Sequence, residues 1–454
     1  MTNSKTAVVV LGAGLGTRMK SDLPKVMHPL AGRPMIRHLI ETLETLQPTR
    51  MTIVVGGDME TVAREVAPYP TVVQKDRLGT GHAVMAAREA LADFEGDVLV
   101  VYGDTPLLSA ETLGRMLDAR RSADNPAVVV LGFRPEHPGA YGRLMVDGEG
   151  HLQAIVEAKD AGPEQLAVNL CNSGVMAVDG RKLFDLLDRV GNDNAKGEYY
   201  LTDIVEIACA DGLTCGVVEG GEAELLGINS RADLAQAETM LQDDLRANAM
   251  AEGATLVDPS TVFFSADTKL GRDTTVGPYV VFGSGVTVGD NVTILPFCHL
   301  QDVTIEQGAS VGPYARLRPG ARIGADAHIG NFVEIKNASV EAGAKVNHLT
   351  YIGDARVGAK ANVGAGTITC NYDGFFKDHT DIGAGAFIGS NTSLVAPVKV
   401  GDGAITGAGS VIVRDIPADS LALTRGPHRE NADWARKFRE RRGREKAAKA
   451  EKKE

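Results

Sequence analysis

The sequence predicts an α/β chain in two parts: a mostly parallel sheet flanked by helices, then a linker helix and a parallel β-helix. Three observations predict this. Strand-like and helix-like runs alternate up to about residue 229, a helical spacing begins at Ser230, and aliphatic residues then recur every six positions. At 454 residues the chain is also too long for one ordinary core, so two domains are expected.

The first part alternates β-branched runs with helical patterns, which is typical of a mostly parallel sheet. The strand-like runs are TAVVVLG at 6–12, MTIVVGG at 51–57, DVLVVYGD at 97–104 and PAVVVLGF at 126–133, and the helical candidates include RPMIRHLIETLETL at 33–46 and GHAVMAAREALADF at 81–94. Ligands of such sheets bind at the carboxyl ends of the strands. A glycine-rich loop at 12–16 and Asp104 each follow a strand directly, so we expect them to share one crevice.

A single helix is predicted between the two parts. Ser230 and Asp233 have the spacing of a capping box, and four apolar residues follow at helical spacing: Leu234, Ala237, Leu241 and Leu245. We therefore predict a first domain at 1–229, a linker helix at 230–250 and a β-helix domain at 251–428.

The second part repeats with a period of six. Aliphatic or aromatic residues keep this register in three runs: Leu270, Val276, Phe282, Val288 and Ile294; Ile305, Val311, Leu317, Ile323, Ile329 and Ile335; Ile382, Ile388, Leu394 and Val400. A repeat this short cannot close a core alone, whereas stacked coils of a β-helix bury the aliphatic column. An α-helix is excluded, because a period of six would place these residues on rotating faces.

Composition limits the class of protein. The net charge of −12 argues against general nucleic-acid binding. The sequence has no long apolar run and no signal-peptide layout, so we expect no membrane insertion and a cytoplasmic location. The five cysteines form no CxxC pair and are expected to be free thiols. Residues 429–454 hold 11 Lys/Arg against 6 Asp/Glu, which favours a solvated, flexible basic tail over one that reaches an anionic ligand.

The stretch VVVLGAGLGTRMKSDLPK at 8–25 indicates phosphate chemistry. Its glycines fit neither a dinucleotide fingerprint nor a P-loop, but they let backbone N–H groups approach phosphate oxygens. Arg18 adds a planar guanidinium that can bond two oxygens at once, and Lys25 adds a compact positive charge. Both suit a triphosphate and the negative charge that develops in a transition state. Asp104 is a plausible oxygen ligand for Mg²⁺.

LGAGLGTRM, followed by LPKVMHPLAGRPM, resembles the signature of the sugar nucleotidyltransferases, L-x-A-G-x-G-T-R-M with a later P-K pair. VVQKDRLGTGHA, YGD, YGR, IVEAKD, CNSGV and GEYYLTD extend the resemblance over most of residues 6–231 and point to the uridylyl-transferring branch. It implies a Rossmann-like nucleotidyltransferase domain. The chain departs from the usual pattern at Gly12, where alanine is common, and at Leu15, where some members carry lysine.

The resemblance also implies roles for individual residues. Gln74, Gly79 and Thr80 would bind uracil, and Asp104 with Asn229 would bind Mg²⁺. Lys25 and Arg18 would be catalytic, offsetting negative charge as a sugar 1-phosphate attacks the α-phosphorus of UTP and pyrophosphate leaves. The remaining implied contacts to UTP or the nucleotide sugar are Leu11, Gly12, Ala13, Gly14, Tyr102 and Gly103, with Gly142, Glu157 and Asn172 on the sugar.

An interruption of the hexapeptide pattern suggests a second site. The repeat breaks between Val363 and Ile382, where a polar and aromatic insertion, TCNYDGFFKDHTD, occupies 369–381. A histidine such as His348, taken alone, is more often a structural residue than a catalytic one. Its neighbours a few coils away change this balance, because two cations, a phenol and an amide suit a sugar phosphate: Arg318, Lys336, Tyr351 and Asn362.

ARLRPG, NFVEIKNA, HLTYIGDA, NVGAGTITCNYDG and LVAPVKVG resemble the acetyltransferase half of the bifunctional bacterial N-acetylglucosamine-1-phosphate uridylyltransferases. This implies a left-handed β-helix, a homotrimer and His348 as general base toward glucosamine 1-phosphate. Arg318, Lys336, Tyr351 and Asn362 would bind that substrate. The implied acetyl-CoA site is Ala365, Asn371, Tyr372, Ser390, Ala408 and Arg425. Asn347 departs from the small residue usual beside the histidine.

Together the two resemblances imply a bifunctional enzyme that acetylates glucosamine 1-phosphate and then couples the product to UTP, feeding peptidoglycan and lipopolysaccharide synthesis in the bacterial envelope. Two alternatives remain at this point. The first is a nucleotidyltransferase whose β-helix only oligomerises or regulates it, in which case His348 and the insertion are dispensable for all activity. A non-catalytic nucleotide-sugar-binding scaffold is the other, and the presence of Lys25, Asp104 and His348 together argues against it.

Overall fold

A computed structural model describes residues 5–194 and 196–451, with side chains up to residue 448. The chain divides into two compact units. One unit runs to Thr268 and includes Phe282–Gly285, and the other contains Lys269–Val281 and the chain from Val286 onward.

The first unit is built on a mixed sheet of nine strands. In chain order these are β1 (Thr6–Leu11), β2 (Arg50–Gly56), β3 (Thr71–Gln74), β4 (Asp97–Tyr102), β5 (Val128–Phe133), β6 (Arg143–Val146), β7 (Leu152–Val156), β8 (Cys171–Asp179) and β9 (Cys215–Glu219). The strand order is β9-β5-β8-β4-β1-β2-β3, with β6 paired to β8 and β7 paired to β6. Along this path only β8 runs antiparallel to its neighbours, so the prediction of a mostly parallel sheet is confirmed.

Helices cover both faces of this sheet. The helices of the unit are α1 (Met35–Thr45), α2 (Glu60–Glu65), α3 (Thr80–Met85), α4 (Arg88–Leu91), α5 (Ala110–Arg120), α6 (Pro163–Leu166), α7 (Gly180–Leu187), α8 (Asp203–Ala210) and α9 (Arg231–Ala251). The helix predicted over 81–94 is divided into α3 and α4, because a tighter bond from Ala87 N to Val84 O interrupts the α-helical pattern. Short strands at Pro29–Leu30, Arg33–Pro34 and Thr255–Leu256 and 3₁₀ turns at Thr17–Met19, Lys25–Met27, Ala223–Leu225 and Pro259–Thr261 complete the unit.

The β-branched runs are continuous because the central strands are buried on both faces. In β1, Ala7 and Val9 join a core with α3, α7 and α8, whereas Val8 and Val10 join a second core with α1, α2 and α5. The carboxyl ends of these strands therefore form a rigid edge.

The capping box predicted at the start of α9 is confirmed. Ser230 accepts from Asp233 N, and the Asp233 carboxylate accepts from Ser230 N. Along the helix, Glu238 accepts from Ala31 N at 2.7 Å, and the Gln242 side chain bonds both backbone groups of Phe264. This helix is therefore an integral part of the first unit.

The second unit is a stack of parallel coils, as the hexapeptide pattern predicts. Val276 pairs with Ile294, Ile294 with Val311 and Val311 with Ile329, so that one coil takes 17 or 18 residues. The left-handed sense of the coil stays a prediction. The strands are Lys269–Leu270, Thr275–Val276, Val286–Val288, Thr293–Ile294, His299–Leu300, Val303–Ile305, Ser310–Val311, Arg316–Leu317, Ala321–Ile323, His328–Asn331, Glu334–Val340, Lys345–His348, Tyr351–Val357, Asn362–Val363, Ile368–Cys370, Thr380–Ile382, Phe387–Ile388, Ser393–Val395, Val398–Val400, Ile405–Thr406, Val411–Ile412 and Leu421–Ala422; Val281–Phe282 spans the division between the units.

The predicted insertion lengthens one coil. Val363 pairs with Ile388, a separation of 25 residues, and Tyr372 bridges to Lys377 within a short hairpin. Beyond the stack, α10 (Trp434–Glu451) gives the basic tail regular structure, and its described side chains are exposed. The flexibility predicted for 429–454 stays a prediction, and residues 452–454 lie outside the described residues. Among the described helices, none combines the length and the apolar character needed to span a membrane.

Candidate active sites

A pocket lies where β1, β3 and β4 end. Ten of the residues predicted to bind nucleotide line it: Leu11, Gly12, Ala13, Gly14, Lys25, Gln74, Gly79, Thr80, Tyr102 and Asp104. Val26, Arg77, Ala83 and Glu198 complete the lining. The structure therefore brings the glycine loop and Asp104 to one crevice, as their positions after parallel strands predict.

Lys25 lies at the centre of the polar contacts in this pocket. Its ammonium forms an ion pair with Asp104 and donates to Asn229 Oδ1 at 3.1 Å. Gly16 makes this possible: its φ is +61°, and a Cβ there would lie 2.6 Å from Lys25 Cβ. The glycine pattern thus serves the placement of the lysine as well as the loop.

The oxygens of Asp104 and Asn229 converge on one cation, the Lys25 ammonium. A carboxylate and an amide oxygen are the hard ligands that Mg²⁺ takes when it keeps several waters. No group of three or more His, Cys, Asp or Glu within 5–194 and 196–451 is arranged to hold a metal. The donor set, one carboxylate oxygen and one amide oxygen, therefore fits a partly hydrated Mg²⁺.

The predicted uracil-binding residues form a second group. Gln74 is buried, and its Nε2 donates to Gly79 O at 3.0 Å. Gly79 has φ +110°, and a Cβ there would lie 2.5 Å from Tyr199 O. The close approach of the Gly79 backbone to the backbone of Tyr199 therefore requires glycine. Thr80 accepts from Leu201 N at 3.0 Å. The GEYYLTD segment therefore packs against Gly79 and Thr80 and holds their backbone in place.

The predicted sugar-binding residues also lie together. Asn172 N donates to Gly142 O at 2.8 Å, and a Cβ on Gly142 would lie 3.5 Å from Glu157 Oε1. Burial is the main cause that raises the pKa of Glu157. Tyr102 links this group to the nucleotide pocket: its pKa is raised chiefly by burial, and the carboxylates of Asp104 and Glu157 add to the shift.

Arg18 and Gly103 do not line the pocket. Arg18 is exposed on the turn Thr17–Met19, and its side chain makes no ion pair within the described part of the chain. Gly103 is buried beneath the loop and donates to Leu11 O at 3.0 Å. Sequence reasoning missed Arg77 and Glu198, although both fall within motifs quoted above.

In the second unit, His348 ends a β-helix strand and pairs in register with Asn331 of the preceding coil. The ring Nδ1 hydrogen-bonds Asn331 Oδ1 at 2.7 Å. With the amide assigned in this orientation its oxygen accepts, so Nδ1 carries the proton and Nε2 remains a basic nitrogen. Asn331 was not predicted from the sequence.

The predicted acetyl-CoA residues follow His348 up one edge of the stack. Strand register puts His348, Ala365, Ser390 and Ala408 at equivalent positions of successive coils. Backbone bonds run between neighbouring levels, and Arg425 Nη1 donates to Ala408 O at 3.2 Å. The structure thus gathers three of the six predicted residues into one column that starts at the histidine, and Arg425 is hydrogen-bonded to the last of them.

The other two predicted acetyl-CoA residues belong to the insertion. Asn371 is buried and donates to Asp354, whereas Tyr372 is exposed and donates to Gly374 O at 2.6 Å. The pKa of Asp354 is lowered: burial acts to raise it, but the amides of Asn337 and Asn371 and two nearby lysines outweigh that effect.

A cluster of cations forms beside the insertion. Lys377 lies next to Lys336 and is the main cause that lowers the pKa of Lys336, with Arg318 also contributing. Tyr351 lies over Gly353, which pairs in register with Lys336. Arg318 is also paired with Glu334 at 2.7 Å. Lys377 is therefore a further candidate ligand for phosphate that sequence reasoning did not identify.

Asn362 lies apart from the cation cluster. It pairs with Lys345 and Phe387, in a different column of strands from Lys336 and Tyr351. The structure thus assembles three of the four predicted substrate-binding residues.

Two protein-family models match the chain. The model of the MobA-like NTP transferase domain matches residues 8–168, and that of the bacterial transferase hexapeptide (six repeats) matches 267–301, 302–337 and 379–414. These ranges fall in the parts of the chain that carry the two sites.

Relatives are similar over nearly the whole chain. A bifunctional protein GlmU of Paramagnetospirillum magneticum is 65% identical over 449 residues, which cover 99% of this chain and 100% of the relative. That of Rhodospirillum rubrum is 65% identical over 436 residues, covering 96% and 98%. That of Azorhizobium caulinodans is 57% identical over 450 residues, covering 98% and 100%.

Proposed function

The chain belongs to the GlmU family of bifunctional bacterial proteins, and on that premise we propose how its residues divide the two activities. The protein is a bifunctional transferase of UDP-N-acetylglucosamine synthesis. It N-acetylates glucosamine 1-phosphate and transfers the uridylyl group of UTP to N-acetylglucosamine 1-phosphate, releasing pyrophosphate. The first unit carries uridylyl transfer and the second carries acetyl transfer.

In uridylyl transfer, the first unit binds and orients both substrates. Gln74, Gly79 and Thr80 hold the uracil, and the backbone of the glycine loop holds the phosphates. Gly142, Glu157 and Asn172 hold the sugar so that its phosphate oxygen attacks the α-phosphorus in line. Lys25 offsets the negative charge that develops there, with Arg18 reaching in from the exposed turn beside the loop. The convergence of Asp104 and Asn229 on the ammonium of Lys25, a residue that lines the pocket, is the observation that carries this assignment.

Asp104 and Asn229 are the residues that would hold Mg²⁺. When bound, the ion supplies electrostatic stabilisation to the phosphates. The support is the donor set itself, one carboxylate oxygen and one amide oxygen converging on a single cation.

In acetyl transfer, His348 is the general base. Its Nε2 takes a proton from the amine of glucosamine 1-phosphate as that nitrogen attacks the thioester carbonyl of acetyl-CoA, and coenzyme A leaves as the thiol. Arg318, Lys336 and Lys377 attract the substrate phosphate, with Tyr351 and Asn362 as further contacts. Acetyl-CoA lies along the column from Ala365 to Ala408, near Asn371, Tyr372 and Arg425.

The assembly and location are also proposals. We expect a homotrimer, because hexapeptide coils stack into prisms whose flat sides can close around a threefold axis. The cytoplasm is the proposed location, supported by five cysteines that are all unpaired, as the sequence predicted, which suits a reducing compartment.

Pyrophosphate release from UTP and N-acetylglucosamine 1-phosphate tests the uridylyl assignment. Lys25→Ala should lower kcat/KM by about 10²- to 10³-fold, the usual loss for a group that stabilises transition-state charge. Acetyl transfer should be unchanged, since Lys25 lies in the other unit. Lys5→Ala is the matched control, because Lys5 is exposed, precedes the amino end of β1 and is outside the pocket.

Equal losses of both activities in Lys25→Ala would contradict the division of labour. Wild-type kcat/KM in the same variant would contradict the catalytic role of the lysine.

A further inference from the structure

Arg77 joins two segments of the nucleotide pocket. It lies in the loop between β3 and α3, within the predicted uracil-binding segment Gln74–Thr80. Its side chain leaves this segment and crosses to the glycine loop, where Nε donates to Ala13 O at 2.8 Å. The base-binding and phosphate-binding segments are thus connected by one side chain.

The glycine loop has little other support at this point. Gly14 and Leu15 are exposed, and nothing lies within 4 Å of the position that a Cβ on Gly14 would take. A trans peptide points its C=O and its N–H in opposite directions. When Arg77 holds the carbonyl of Ala13, it therefore also fixes the direction of the Gly14 N–H.

The guanidinium of Arg77 is itself held in place. Its Nη2 forms an ion pair with Asp58, and this bond is the main cause that lowers the pKa of the Asp58 carboxyl. It rests against the backbone of Gly56, where a Cβ would lie 2.3 Å from Nη2. A side chain at position 56 would therefore push the guanidinium away, although the backbone there would accept alanine.

We infer that Arg77 is a positioning residue for uridylyl transfer, which fixes the Ala13–Gly14 peptide so that the Gly14 N–H is presented to the triphosphate. This role rests on the proposed function of the pocket. A planar guanidinium suits it, because Nε and Nη2 bond Ala13 and Asp58 simultaneously. The same side chain ties the phosphate loop to the base-binding turn, so UTP meets both in a fixed relation.

The test is steady-state kinetics of pyrophosphate release, with UTP and N-acetylglucosamine 1-phosphate varied separately. Arg77→Ala should lower kcat/KM for UTP by about 10- to 100-fold, the cost of a mispositioned reacting group. KM for the sugar phosphate and the rate of acetyl transfer should stay within about twofold of wild type. Arg77→Lys should recover only part of the loss, since one ammonium cannot reproduce the paired bonds of the guanidinium to Ala13 O and Asp58.

Two glycine variants supply an independent arm. Gly56→Ala should lower kcat/KM for UTP in the same direction as Arg77→Ala, because its Cβ displaces the guanidinium. Gly57→Ala should leave kcat/KM for UTP unchanged, because a Cβ there meets only Val73 Cγ1 at 3.8 Å. This pair keeps the test informative if Arg77→Ala folds poorly.

The inference is overturned if Arg77→Ala and Gly56→Ala keep wild-type kcat/KM for UTP, or if they raise KM for the sugar phosphate as much as for UTP. Failure of the proposed function looks different, because the wild-type protein would then release no pyrophosphate at all.

Discussion

His348 differs from an ordinary coil histidine in its partner. The Asn331 amide lies in register one coil below and fixes the ring through Nδ1, while the side chain stays exposed at the start of the acetyl-CoA column. A neutral imidazole held in this way keeps Nε2 available as a base.

Replacement of His348 by alanine should lower the rate of acetyl transfer by about 10²- to 10⁴-fold, the usual contribution of a general base. Pyrophosphate release should remain at the wild-type rate. Thiol release from acetyl-CoA measures the first activity. His299→Ala is the matched control, because His299 is an exposed histidine at a strand of an earlier coil. Full acetyl transfer by the His348 variant would rule out its role as the base.

Asp203 makes the first unit sensitive to pH. Burial, followed by the charges of Glu206 and Glu157, raises the pKa of Asp203 to about 6. The folded protein therefore retains a proton that the unfolded chain releases at lower pH. Its contribution to stability is present at acid pH and is lost as the pH rises through about 6.

Asp203→Asn should therefore stabilise the protein more at neutral pH than at acid pH. The free energy of unfolding of the variant minus that of the wild type should be about 1 kcal/mol larger at neutral pH than at acid pH. This value allows for solvent screening of the half-exposed carboxyl. Urea unfolding of the first unit at several pH values measures it. Asp193→Asn, at an exposed position, should show no such trend. A constant difference across pH would contradict the raised pKa.

At this scale the residues that sequence analysis missed lie inside the quoted motifs, and what the motifs do not show is the tertiary contact that each residue makes. Arg77 lies inside a quoted motif, but nothing in its spacing shows that its side chain reaches Ala13. Lys377 enters the cation cluster only because the insertion folds as a hairpin. Asn331 meets His348 because a coil closes after 17 residues, and the hexapeptide period alone does not specify that register.

Among the elements, β4, β8 and α5 are joined by a buried ion-pair network in the first unit. Arg120 contacts Asp97 at 3.3 Å and Asp179 at 3.2 Å, and all three side chains are at most 5% exposed. Arg121 and Arg181 add further bonds to the same carboxylates. Buried charges of this kind are costly to leave without a partner.

Arg120→Ala should destabilise the first unit by about 3 kcal/mol, because two buried carboxylates lose a partner while Arg121 and Arg181 compensate in part. Chemical denaturation, monitored by the rate of pyrophosphate release, would measure the loss of stability. The control is Arg189→Ala, which breaks the exposed pair with Asp211 and should destabilise the protein far less, because solvent screens that pair. Similar losses in the two variants would show that the network adds nothing beyond a surface pair.

Element boundaries followed the sequence most closely where the residues of an element are buried. The strands β1, β2, β4 and β5 and the β-helix columns were predicted because each apolar run meets a core. The break between α3 and α4 was missed, because GHAVMAAREALADF is helical in composition throughout and the interruption depends on local backbone bonds. The helical conformation of α10 was also outside what composition alone predicts.

For the whole molecule, we propose one activity for each unit. The candidate residues divide accordingly: Lys25, Asp104 and Asn229 lie in the first unit, and His348 with the cation cluster in the second. Variants at Lys25 and His348 should therefore separate the two activities without affecting each other.

The most direct test of this account is thiol release from acetyl-CoA by the purified protein, with glucosamine 1-phosphate as acceptor. We predict release that requires the amino sugar and disappears when N-acetylglucosamine 1-phosphate replaces it, since the acetylated nitrogen is no longer a nucleophile. A folded protein that forms pyrophosphate from UTP and N-acetylglucosamine 1-phosphate, yet releases no thiol, would contradict the assignment of a catalytic role to the β-helix.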